Sequence, residues 1–453
     1  MKTSGILLVL FGLFASTIHA GEPPAGLTAA ERGYWFILNK PYLIPDCDEQ
    51  TFSDLWKSWP EEHRERAAPL EPAARRSMIF DYYGLTPRPD DDSGKPLQYA
   101  VTADGNFFMN CFACHGGSVA GQTIPGLPNS SYALQTLTDD IRTTKLRRSV
   151  PLSPRDLSAM FFPMGGTVGT TNAVMFGVAL EHYRDLDMNV AAFRAPPQLV
   201  HHDMDAPPWW HFSKRSHLYV DGFVEKDHRA LMPFVLIREN GRPQLDEWEN
   251  DFKDIFAYLE SIEPPRYPYE INQELAGQGR LVFEKNCSDC HGTYGARETY
   301  PQKIVPLAEI GTDPVRYHAL TPAHREDYGK SWLSHYGERE ILREPGGYVA
   351  PPLDGIWATA PYFHNGSVPT LAGVLNLEER PSIWKRASSD YNKAAIGLDF
   401  TAHSQIPVTA KHPAERRRYF DTALTGKSNA GHDYPDALST KEKRAVLEYL
   451  KTL

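Results

Sequence analysis

Cys111-Phe112-Ala113-Cys114-His115 and Cys287-Ser288-Asp289-Cys290-His291 decide how this sequence is read. Both follow the pattern Cys-X-X-Cys-His. Two thiols three positions apart lie on one face of a helical turn and can add to the two vinyl groups of one porphyrin. The adjacent histidine then offers its imidazole to the iron from the same side. The two copies use four of the five cysteines in the chain. A zinc site would need both motifs to converge on one ion and would leave the following histidines unexplained. A thioredoxin-type pair would need a βαβ domain. The motifs therefore predict two covalently bound haem c groups. Cys111, Cys114 and His115 are expected to hold the first, and Cys287, Cys290 and His291 the second, with His115 and His291 as iron ligands. Cys47 is left over and is read as a buried or free thiol.

Working outward, helical periodicity surrounds the second motif. Over residues 245–262, Trp248, Phe252, Ile255, Phe256 and Leu259 recur at helical spacing. Glu263-Pro264-Pro265-Arg266-Tyr267-Pro268 stops that helix and marks a domain boundary. A second helix over residues 274–285 leads directly into Cys287, the order in which a small cytochrome c domain begins. A terminal helix over residues 439–453 carries Ala445, Val446, Tyr449 and Leu450 on one face. Another helix starts at Ala29-Ala30-Glu31-Arg32. The expected fold is mainly α, with two cytochrome c-like helical haem domains and long loops, the latter in keeping with 37 prolines. The expected units are residues 21–265 around the first haem and 266–453 around the second.

Lys2 followed by an apolar run over residues 6–15 reads as a secretory signal, with residues 1–20 removed after Ala20. The run is too short to span a bilayer comfortably, and no later stretch is apolar enough, so no transmembrane segment is expected in the mature chain. A periplasmic or secreted location follows, and covalent haem attachment in bacteria takes place outside the cytoplasm. The formal charge of −10 and the lack of a basic tract argue against nucleic acid as a partner.

The second half also contains Pro351-Pro352-Leu353-Asp354-Gly355-Ile356-Trp357-Ala358-Thr359-Ala360-Pro361-Tyr362-Phe363-His364-Asn365-Gly366-Ser367-Val368-Pro369-Thr370-Leu371. This string resembles the signature of the dihaem cytochrome c peroxidase superfamily. Its Trp-Ala-Thr-Ala-Pro-Tyr lead-in and Val-Pro ending look closest to the rubber-oxygenase-like branch. Gly426-Lys427-Ser428-Asn429-Ala430-Gly431-His432 resembles a late motif of that branch. In the first half Gly169-Thr170-Thr171-Asn172-Ala173-Val174 and Leu218-Tyr219-Val220-Asp221-Gly222 are fainter echoes.

The resemblance implies ligands beyond the motifs. In typical dihaem peroxidases a methionine follows the His-Asp-Gly run, and residues 374–381 contain none here. The oxygenase branch uses a late histidine, which His432 matches. The second haem is thus expected between His291 and His432, with His364 as the other candidate ligand. The far side of the first haem is the open question. Pro207-Pro208-Trp209-Trp210-His211-Phe212 and Phe223 fall in the corresponding region. Trp209 and Trp210 are read as lining an apolar distal pocket, as carrying electrons between haems, or as ordinary core. His211 is a candidate acid/base group or ligand, and His201 and His202 lie close in sequence. Trp209, Trp210 and His211 form the candidate catalytic set.

Ligand count divides the functions. An iron with one protein ligand can take O2 or peroxide, and one with two cannot. The resemblance implies a haem-dependent oxidoreductase of cytochrome c peroxidase or oxygenase type. The first haem would bind the oxidant and the second would relay electrons. Its partners would be a small-molecule oxidant or organic substrate and an electron-transfer protein. The alternative is a dihaem electron-transfer cytochrome without substrate chemistry. Structural calcium accompanies the peroxidase relatives, but no specific carboxylate loop for it stands out in this sequence.

Overall fold

Thr28 opens the first helix. Its hydroxyl accepts from Glu31 N at 3.3 Å and Glu31 accepts from Thr28 N at 2.8 Å, a reciprocal cap. The helix, Ala29–Asn39, turns Phe36, Ile37 and Leu38 inward. It crosses helix Arg242–Ser261, whose buried face is Leu245, Trp248, Phe252, Ile255 and Leu259. Gly33 makes the crossing tight, since a Cβ there would lie 2.1 Å from Asp254 O. Arg32 then forks onto Asp254 at 2.7 and 2.8 Å, and Lys40 pairs with Asp251 at 2.5 Å.

The same construction occurs again near the C-terminus. Asn272 caps helix Gln273–Asn286 through Leu275 N at 3.0 Å. That helix crosses Thr440–Leu450, and a Cβ on Gly279 would lie 1.9 Å from Ala445 O. The second pair leads straight into its Cys-X-X-Cys-His, as the periodicity predicts. In the first half, residues 40–110 intervene. They build a separate core from Phe52, Leu55, Trp59, Tyr83, Tyr99 and Phe107.

The computed structural model describes residues 21–89, 91–191, 194–338 and 342–453. The expected signal segment lies outside them. Among the described residues, no helix is long and apolar enough to cross a membrane.

The expectation of a mainly α fold needs correction. Helix accounts for 41% and strand for 12%, so the fold is mixed α and β. Strand Ile383–Asn392 sits between Gly397–His403 and Tyr419–Asp421 in an antiparallel sheet. Trp384 and Phe420 stack across it, with centroids 5.2 Å apart, and Trp384 Nε1 donates to Ser367 O at 3.0 Å. Elsewhere the strands are short ladders hidden in the proline-rich loops. His217–Leu218 pairs with Val224–Glu225, and Ile304–Val305 with Tyr348–Val349. Two-residue strands leave too little alternation to be read from sequence.

Residues 262–272, around the expected boundary, link helices Arg242–Ser261 and Gln273–Asn286 without helix or strand. In space, the parts on either side interlock. Leu320, Tyr328, Trp332 and Leu333 join the core built by the first helix pair. Arg417 pairs with Asp139 at 2.7 Å, and Lys427 with Asp203 at 2.8 Å.

Candidate haem sites

Each motif histidine is aimed by a proline carbonyl. His115 Nδ1 donates to Pro207 O at 3.0 Å, and His291 Nδ1 donates to Pro351 O at 2.8 Å. A carbonyl only accepts, so the proton sits on Nδ1 and Nε2 keeps its lone pair for a metal. In both places a second proline follows, Pro208 or Pro352. Consecutive prolines restrict the backbone and so fix the direction of that carbonyl. The motif residues form short helices, Phe112–His115 and Ser288–His291, and none of the five cysteines is in a disulfide. Burial pushes the His115 imidazole down to about 4 and lowers that of His291. Both are held neutral, as ligation requires. The donor set therefore fits covalent haem c at each motif.

The faces opposite the two histidines differ. His432 stands across from His291, with ring centroids 6.2 Å apart and planes at 61°. Two imidazoles on opposite sides of one metal ion, each bonded at about 2.0 Å, place their centroids roughly 6–6.5 Å apart. Twist about the shared axis leaves both bonds intact. Burial, with His291 and Arg380 adding, holds the His432 imidazole down to about 3, and its Nδ1 has no partner.

The loop carrying His432 is braced from the string 351–371 and just beyond it. Asn365 Nδ2 donates to Gly426 O and Ser428 O at 3.1 and 2.9 Å. Arg380 stacks over Phe363 at 4.9 Å and donates to Asn429 O and Gly431 O, both at 2.7 Å. His432 N donates to Ile310 O at 2.7 Å. His364 goes elsewhere. Its ring lies 4.6 Å from Tyr348, and its carbonyl accepts from Asp205 N at 2.9 Å. Burial, with Arg316 and His202, drives its imidazole down to about 3.

The ring on His115 is Trp209, stacked at 4.7 Å and 24°. Among the described residues no imidazole approaches His115 as His432 approaches His291. Trp209 thus packs on the motif histidine itself and not across from it, and as part of the first core it fits the readings as core or electron route better than that as distal lining. Trp210 and His211 point into the second half. Trp210 Nε1 and His211 Nε2 both donate to Asp354 O, at 2.7 and 2.9 Å, and Lys214 pairs with Asp354 at 2.7 Å. With Nε2 so engaged and burial holding it down to about 3, His211 is a neutral tether between loops. A continuous path results: His115, Trp209, Trp210, Asp354, then three residues back to Pro351 and His291.

His201 and His202 diverge. His201 Nδ1 lies 3.0 Å from the Asn172 amide, and His202 Nδ1 donates to Val200 O at 2.8 Å. Phe223 belongs to the first core, stacked 5.0 Å from Tyr219. Sequence reasoning missed Pro207, Pro351, Asn365 and Arg380. The repeated Pro-Pro pair was the available signal.

Residues 347–385 match a family model described as RoxA-like, cytochrome c-like. That span contains Pro351, Asp354, His364, Asn365 and Arg380. The uncharacterized protein y4iM of Sinorhizobium fredii is 26% identical over 290 residues, covering 55% of this chain and 64% of that relative. The uncharacterized protein y4iJ of the same organism is 29% identical over 258 residues, covering 42% of this chain and 41% of that relative. The chain thus spans less than two thirds of either relative's length. The family match supports a c-type cytochrome with covalently bound haem c and a likeness to the rubber-oxygenase-like branch.

Proposed function

We propose that this chain is an exported dihaem c-type redox enzyme. Cys111, Cys114 and His115 would hold one haem c in the unit 21–265. Cys287, Cys290, His291 and His432 would hold the other in the unit 266–453. Bound haem supplies one-electron chemistry and, where one axial position is free, a place for O2 or peroxide. The protein decides which iron has that place. Pro207 and Pro351 orient the two motif histidines alike, and His432 closes the far side of only one of them. Trp209 and Trp210 bridge the two sites, a route for electrons to the His115 side. The RoxA-like match favours O2 over peroxide as the oxidant.

The single observation carrying this reading is the imidazole 6.2 Å from His291 beside the lack of one near His115 among the described residues. Low-temperature electron paramagnetic resonance of the matured protein tests it. One high-spin or exchangeable haem beside one low-spin haem is expected, with only the former changing after peroxide, or after reduction and brief O2 exposure. Two low-spin haems indifferent to both oxidants would instead make the chain an electron carrier.

A further inference from the structure

The turn 219–222 is gripped by three arginines. Arg215 Nη2 donates to Tyr219 O, Arg343 Nε donates to Gly222 O at 3.2 Å, and Arg316 Nη1 meets Asp221 Oδ2 at 3.3 Å. Arg316 is 1% exposed and Asp221 is fully buried. Only Arg316 meets that carboxylate, whose Oδ1 is without a partner, while Arg215 and Arg343 take backbone carbonyls. Arg215 Nε, Arg316 Nε and Nη2, Arg343 Nη2 and Gln302 Nε2 are all buried without a partner. Gln302 is oriented by Ser216, whose N donates to its Oε1 at 2.6 Å, which leaves the amide nitrogen free. Burial and the neighbouring Arg343 both push the Arg215 guanidinium below its usual range, and the same two arginines lower His217.

Buried donors are paired in folded proteins, and an unpaired buried charge is costly. Five such donor atoms around one acid call for a ligand with several anionic acceptor oxygens. Guanidinium forks fit carboxylates bidentately. The place narrows the choice of carboxylate. Val349 N donates to Val220 O at 2.7 Å, and Tyr300, on which both Arg215 and Arg343 act, donates to Ala350 O at 2.8 Å. Residues 349 and 350 run directly into Pro351, the carbonyl that aims His291. Arg215 lies four residues after His211 on the segment that aims His115. The cluster sits where the two histidine-aiming segments meet.

We infer that Arg215, Arg316, Arg343 and Gln302 form a buried receptor for the propionate carboxylates of a covalently attached haem. This rests on the haem reading above. A haem held by thioethers at its vinyl edge presents its two carboxylates at the other edge, so one group can meet several cations. The arginines would neutralise that charge and favour the reduced iron, because positive charge nearby stabilises the state with one more electron.

The test uses the matured full chain and its R215Q and R343Q variants, with R215K and R343K as conservative partners. Haem-stained denaturing gels and pyridine haemochrome spectra report covalent haem separately from the arginine effect. Wild-type protein without covalent haem would overturn the underlying reading, and this inference with it. With haem content retained, the glutamine variants are expected to lower the reduction potential of one haem. They should also shift its propionate bending modes in resonance Raman spectra, and lysine should restore part of both. Potentials and modes unchanged in both glutamine variants would overturn the inference. So would a wild-type protein whose melting temperature rises with added malonate or inorganic phosphate, since a propionate already in place leaves no room for a free anion.

Discussion

The two Cys-X-X-Cys-His sites share one plan and diverge at one position. Each lies near a helix pair crossed at a glycine, Gly33 on Asp254 or Gly279 on Ala445. Each has its histidine aimed by the first carbonyl of a Pro-Pro pair. The second site then receives His432, and the first receives Trp209 on the ring of His115. On the proposed reading a common scaffold would give two chemistries because a single loop supplies or withholds an imidazole. Supplying it takes effort: Asn365, Arg380 and Ile310 all hold the loop that ends at His432.

The largest effect is expected from erasing that difference. His432→Ala should convert the second haem from low spin to high spin almost completely, with both haems still attached, while His364→Ala leaves the spin state unchanged. Magnetic resonance of the two variants checks this, and an unchanged His432→Ala spectrum would return His364 to candidacy. Next comes the bridge. Trp210 is 1% exposed, and Trp210→Ala should cost about 3–5 kcal/mol in chemical denaturation. Trp210→Phe should keep most of the packing and isolate any loss in the rate of electron exchange between the haems.

The matched glycines give a smaller, paired test. Gly33→Ala and Gly279→Ala each drive a methyl into backbone, and each should cost about 1–3 kcal/mol. Thermal melts followed at each haem should show that loss in both halves together, since the halves interlock. A loss confined to the half that carries the change would mean that the halves unfold separately.

The most gradual effect concerns pH. Burial pushes the Glu181 carboxyl up to about 8 from 4.5, with Asp327 adding, and the Asp140 carboxyl up to about 7. Both lie in the first half. Between the unfolded and folded values the folded chain keeps a proton that the unfolded chain releases. Stability therefore falls as pH rises through that window and levels off above it. Glu181→Gln should remove its share of the slope in stability between about pH 5 and pH 8, up to about 4 kcal/mol over that window, as followed by the melting temperature. The same slope in the variant would show that Glu181 does not hold its proton.

Much of this was legible where local chemistry is self-contained. The motifs announce their own cofactor, and the helices 242–261, 273–286 and 440–450 follow from apolar spacing to within a few residues. His432 came into view through resemblance, for nothing in Asn429-Ala430-Gly431-His432 alone says what it faces. What escaped reading depends on distant pairing. Pro207 and His115 are far apart in sequence, as are Asp354 and Trp210, and backbone carbonyls carry no sequence signature. The sheet around Trp384 was missed for the same reason, since its long strand is mostly polar and its meaning lies in Phe420 and Ser367 across the fold.

Trp209 belongs to the core of the first helix pair and Trp210 to that of the second. Neighbouring residues in one chain have Cα atoms only about 3.8 Å apart. Rooting them in different cores rivets the two bodies together at a single peptide bond. Swinging one half open on a hinge would have to extract a tryptophan from its socket. In the proposed enzyme, motion that admits a reactant would therefore come from peripheral loops. In the proposed dihaem enzyme the spacing between the two iron sites would then be a fixed dimension of the molecule, unaltered through turnover.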